Sequence, residues 1–193
     1  MLVLFNLYLS KEEIGLTRVF FSIASIISQF SMLSMNAVAV RFFHYFKGNL
    51  SNRENDFLRI FINRTLIGFA IVIGIGLLLE TEIISFFESR SQLVGTYYRS
   101  ILIFSGFYVV FNLLDNYALV NHLSVFSAIG RELFTRILTS ALVLLYVLAD
   151  LDFHLFITIY TCLYAIPSVF LIFVLIRKNL FHYPWNRSGV SIR

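Results

Sequence analysis

Polar residues are sparse along this chain and gather in short clusters that separate long apolar runs. The clearest run extends from Val19 to Val40 without a charge. It follows the polar stretch Ser10-Lys11-Glu12-Glu13-Ile14-Gly15-Leu16-Thr17-Arg18, read as a loop, and ends in the collar Arg41-Phe42-Phe43-His44-Tyr45-Phe46-Lys47. At about 1.5 Å rise per residue such a run crosses the roughly 30 Å hydrocarbon core of a bilayer, with the collar's rings and arginine at headgroup depth. Four further runs follow, over residues 57–79, 100–120, 127–149 and 153–176. Turn formers and charges fill the breaks at 48–56, 80–99, 121–124 and 150–152. Residues 1–9 are apolar apart from Asn6, but as helix they reach only about 14 Å, too short to span. They read as the last turns of a first helix whose beginning is missing, so a fragment of a longer protein is expected. The pattern predicts an all-α fold: one polytopic transmembrane helix bundle over 1–193, with five complete spans after an N-terminal half-helix.

Composition agrees, at 59% hydrophobic and 13% charged residues against roughly 25% charged in soluble domains. A net charge of +4 would invite a nucleic-acid partner in a soluble protein, but here topology accounts for it. If the loops alternate across the five spans, one side carries Lys11, Arg18, Arg90 and Arg99 and the other carries the remaining eleven of the fifteen basic residues. The side with eleven is expected to be cytoplasmic, which places the loop from Lys47 to Asp56 and the C-terminal end in the cytoplasm. No nucleic-acid partner is expected. Cys162, the single cysteine, lies in an apolar run, which excludes a disulfide framework and predicts a small buried thiol. Ala70 and Gly74 stand four apart, the small-xxx-small spacing of closely packed helices, and Pro167 should kink the last span.

No catalytic or cofactor motif is present: no HExxH, GxSxG, P-loop or paired CxxC, and the four histidines are scattered. Neither an enzyme nor a bound cofactor or metal is expected. The candidate functional residues are polar groups within the spans. At about 100° per residue, Ser105, Tyr108, Asn112, Asp115 and Asn116 share an arc of about 100°, and Ser22, Ser25, Gln29 and Asn36 share one of about 60°. An acid in a membrane helix is costly, so Asp115 reaches the interface, pairs with Arg136 or Arg64, or lines a pathway. Gln29, Asn36 and Asn112 serve either as interhelical hydrogen-bonding glue or as cavity lining. Arg41, Arg64 and Arg136 at span ends either snorkel outwards or together hold a phosphate, whose oxygens match the guanidinium fork.

Two stretches carry a family likeness. Glu12-Glu13-Ile14-Gly15-Leu16-Thr17-Arg18, followed by Met32-Leu33-Ser34-Met35-Asn36 and Val40-Arg41-Phe42-Phe43-His44-Tyr45-Phe46, resembles the second-helix region of polysaccharide biosynthesis proteins. These are the oligosaccharide flippases of the multidrug and oligosaccharidyl-lipid exporter superfamily. Val125-Phe126-Ser127 with Arg131 and Arg136 resembles their fifth helix. The resemblance implies an inner-membrane transporter that turns lipid-linked oligosaccharide, carried on a polyprenyl diphosphate, between leaflets. It also implies two helical lobes around a central cavity, of which this chain covers the end of helix one and helices two to six. The second lobe would then be a separate chain or missing, and burial of the polar faces of Gln29, Asn36 and Asn112 would need that partner or a second copy. Two other readings stand beside it: a membrane-embedded polymerase or acyltransferase of cell-envelope glycan assembly, and an inactive truncated remnant.

Overall fold

The computed structural model describes residues 10–33, 35–49, 57–88 and 92–180, with the backbone alone for 44–49 and 88. The expected half-helix over 1–9, most of the loop from Lys47 to Asp56 and the chain after Leu180 lie outside the described residues. All regular structure among the described residues is helical: α1 (Lys11–Ser31), α2 (Met35–Asn49), α3 (Phe57–Leu78), α4 (Glu80–Glu88), α5 (Gln92–Thr96), α6 (Tyr98–Val120), α7 (Ser124–Ala128), a π-helical turn (Ile129–Phe134), α8 (Thr135–Leu148), α9 (Phe153–Thr161) and α10 (Ala165–Arg177). Among the described residues four helices are long and apolar enough to cross a membrane: Lys11–Ser31, Phe57–Leu78, Tyr98–Val120, and α9 with α10 taken together as Phe153–Arg177. The run expected at 127–149 is instead divided among α7, the π turn and α8.

The first apolar run departs from expectation at both ends. The polar stretch before it is helix, because Ser10 and Glu13 form a capping box: the Ser10 hydroxyl accepts from the Glu13 N–H, and the Glu13 carboxylate accepts from the Ser10 N–H at 2.8 Å. Near its other end the helix stops at Ser31, and Leu33 takes a φ of 46° before α2 begins. Counting 100° per residue across that break is invalid, so Asn36 does not share a helical face with Ser22, Ser25 and Gln29.

The breaks expected at 121–124 and 150–152 are turns, whereas the one expected at 80–99 is largely helix, α4 and α5. α6 ends in a Schellman motif, with His122 at φ 62° and the Leu123 N–H on the Ala118 carbonyl at 3.0 Å. Asp150 and Asn179 end α8 and α10 in the same way, at φ 46° and 53°. Pro167 acts more strongly than a kink. The chain tightens into i→i+3 bonds at Cys162, Leu163 and Ala165, and the proline sits in the first turn of α10, where no amide donor is needed.

α6 is the central element, packed by α1, α2, α3, α9, α10 and α7. An aromatic spine runs along it: Phe104 stacks on Tyr160 at 5.4 Å between ring centres, and Tyr108 meets Tyr164 edge-on at 4.9 Å. Where α3 passes α1, Gly68 lies so close to the Ser31 carbonyl that a Cβ there would stand 2.1 Å from the oxygen. That crossing corrects the expected contact at Ala70 and Gly74, since a Cβ on Gly74 would meet nothing within 4 Å and Ala70 is exposed. Large apolar side chains, among them Phe30, Ile71, Leu78, Leu148 and Val169, are exposed around the bundle. So continuous an apolar surface suits hydrocarbon rather than water.

Candidate functional site

The polar face of α6 proves to be mostly glue. Asn112 Nδ2 donates to Ser28 Oγ at 2.9 Å, Tyr108 and Ser25 share a hydrogen bond at 3.3 Å, and Asn116 Nδ2 lies 3.9 Å from Met32 Sδ. These contacts zip α6 to α1. Ser105 is spent on its own helix, donating to the Ile101 carbonyl at 2.7 Å.

Asp115 is fully buried on α6. Its Oδ1 accepts from the Ser127 hydroxyl, and its Oδ2 lies 3.5 Å from Arg131 Nη1. The expected partners were Arg136 and Arg64; the ion pair is with Arg131 on the π turn. The Schellman turn at Asn121–His122 folds α7 back along α6 and sets this partner.

A cleft of about 550 Å³ opens between α1, α8 and the break between α9 and α10. Its α1 wall carries Ile14, Thr17, Arg18, Phe21 and Ser22; its α8 wall carries Thr135, Arg136 and Thr139; Tyr160, Leu163 and Tyr164 line it at the break. No carboxylate is among these lining residues. Arg18 and Arg136 are both exposed, and Arg18 has no ion-pair partner among the described residues. Thr135 and Thr139 donate their hydroxyls to carbonyls of the same helical run, Arg131 and Thr135 respectively. By helical count Arg18 stands about 10 Å along α1, and Arg136 about 18 Å from the start of α7.

Of the seven residues singled out from the sequence, the structure brings only Arg136 to this cleft. Gln29 is exposed further along the face of α1 that carries Arg18, Ser22 and Ser25. Asn36 and Arg41 are exposed on α2, and Arg64 is exposed on α3. None of these last three lines the cleft. Cys162, expected to be buried, is exposed at the break beside the lining residue Leu163. Arg18, Thr17, Tyr160 and Tyr164 were missed. The capping box would have found Arg18, because starting the helix at Lys11 puts Arg18, Ser22, Ser25 and Gln29 within an arc of about 60°.

Among the described residues, fold and composition thus define an all-helical chain with four helices long and apolar enough to cross a membrane, and with a largely apolar cleft lined by Arg18 and Arg136. Protein-family models, curated proteins and solved structures contain no match to it.

Proposed function

We propose that this chain is part of a membrane transporter and that the cleft holds an anionic amphiphile, the lipid-linked oligosaccharide on its polyprenyl diphosphate. The observation that carries this reading is the pair of exposed arginines, Arg18 and Arg136, lining a cleft without a carboxylate. A guanidinium at membrane depth costs about 2.5 to 3.5 kcal/mol on insertion scales unless water or an anion meets it. Phosphate oxygens match the guanidinium fork, and the apolar wall at Ile14 and Phe21 suits the attached chain.

In the same reading α7, the π turn and α8 form a fifth span. Their 5, 6 and 14 residues follow one another without a break, about 37 Å in all at helical rise. The chain then sits in an inner membrane with the loop from Lys47 to Asp56 in the cytoplasm. A partner lobe, or a second chain, faces the cleft and completes a pathway for alternating access. Exposed Gln29, beyond the cleft on the same face of α1, favours such cover, since hydrocarbon cannot satisfy an amide.

Photo-crosslinking tests the assignment. With p-benzoylphenylalanine at Phe21 in membranes containing a polyprenyl-diphosphate glycan, adducts should form there and not at lipid-facing Leu144. Arg18→Gln with Arg136→Gln should reduce the Phe21 adduct about tenfold or more, as loss of charge-assisted hydrogen bonds of 1.5 kcal/mol or more predicts. Equal labelling at the two positions, unaffected by the arginines, would refute the assignment.

A further inference from the structure

Arg136 belongs to two concavities. It lines the 550 Å³ cleft with Thr135 and Thr139 of α8, and it lines a groove of about 450 Å³ with Val125, Ala128, Ile129, Glu132 and Leu133 of α7 and the π turn. Glu132 lines the groove and not the cleft, so Arg136 joins a cleft without a carboxylate to a groove that contains one. Arg136 Nη2 lies 3.5 Å from Glu132 Oε2, one helical turn away. The two side chains are 71% and 65% exposed, so this is a weak pair that a competing anion can break. The other nearby cation is already engaged: Arg131 lies against buried Asp115.

A guanidinium at this depth needs a counter-ion, and with nothing anionic in the cleft Glu132 is the one within reach. An anionic head group that enters from the α1 side must take Arg136 from it. A carboxylate guest presents the same group that Glu132 already presents and gains little by the exchange. A diphosphate brings more charge and more acceptor oxygens, and gains by it.

We propose that Glu132 is a specificity-determining residue of the cleft: a resident carboxylate that occupies Arg136 and is displaced by phosphate-bearing amphiphiles in preference to carboxylate ones. The proposal rests on the reading of the cleft as an anion site, and it adds a selection rule to that reading.

The test uses the full chain in nanodiscs of zwitterionic lipid, titrated with farnesyl diphosphate and with farnesoic acid as its carboxylate counterpart. Wild-type protein should bind the diphosphate more tightly. Glu132→Gln should tighten binding by about twofold, as an exposed i, i+4 ion pair supports, and more for the carboxylate, so that the preference narrows. In an Arg136→Gln background, Glu132→Gln should change nothing. Glu80→Gln, which removes a carboxylate paired elsewhere with Arg99, should also leave binding unchanged. Equal tightening with and without Arg136 would mean only a change in overall charge, and would overturn the proposal. So would no effect of Glu132→Gln on a protein whose binding depends on Arg18 and Arg136; the cleft assignment would then survive. Binding indifferent to both arginines would remove that assignment and this proposal together.

Discussion

A carboxylate buried on a membrane helix must be met by donors, and Asp115 is met by two. Ser127 and Arg131 reach it from the helical run that folds back beside α6. Removing the carboxylate leaves the fully buried Ser127 hydroxyl without its acceptor and Arg131 without its counter-ion. Asp115→Ala should therefore cost about 1 to 3 kcal/mol, seen as a lower thermal midpoint in detergent by circular dichroism. Asp115→Asn retains an acceptor for Ser127 and should fall between Ala and wild type. Identical midpoints for all three proteins would show that the contact holds nothing together. Asp115 itself was legible in the sequence as a costly acid at depth. Its partner was not, because which cation lies opposite depends on the reversal at His122. That residue adopts a positive φ without the glycine that would have announced it.

At the scale of the element, the lesson lies in which glycine is tight. Gly68 and Gly74 are both on α3, but only Gly68 faces α1. Gly68→Val must push a side chain into the Ser31 carbonyl and should destabilise by about 1 to 3 kcal/mol or more, the usual penalty for overpacking. Gly74→Val points into open space and should leave the detergent melting curve within a degree or two of wild type, as surface changes of about 0.5 kcal/mol or less do. The reverse order would mean that α3 is rotated on its axis. A small-xxx-small spacing marks a smooth strip on a helix but does not say which strip meets a neighbour. Hydrophobic periodicity was equally silent here, since α3 after Thr65 is apolar all round. The capping box at Ser10 and Glu13, by contrast, was readable as a spacing of three, and it lengthens α1 enough to bring Arg18 onto a cleft-facing turn.

For the whole molecule, the proposed five spans make a prediction about sidedness. In a Cys162→Ala background, Ser124→Cys belongs to the inner side and Asp150→Cys to the outer. An impermeant maleimide applied to intact cells should modify only position 150. Modification at 124 alone would invert the topology, and modification at both or neither would remove the span between them.

The sequence by itself determined that the chain is helical, where most of its apolar helices start and stop, and that an acid and several amides lie within them. These are local quantities: hydropathy averaged over a span, caps and turn residues each depend on a few neighbours along the chain. Only the tertiary structure decided that Asn112 meets Ser28, that Asp115 meets Arg131, and that Arg18 and Arg136 share a cleft while Arg41 and Arg64 do not line it. Those outcomes turn on how each helix is rotated about its axis and where it is interrupted. In a bundle whose outer surface is largely apolar, the hydrophobic pattern exerts little torque on either; close packing at Gly68, the break before Pro167 and the turn at His122 do.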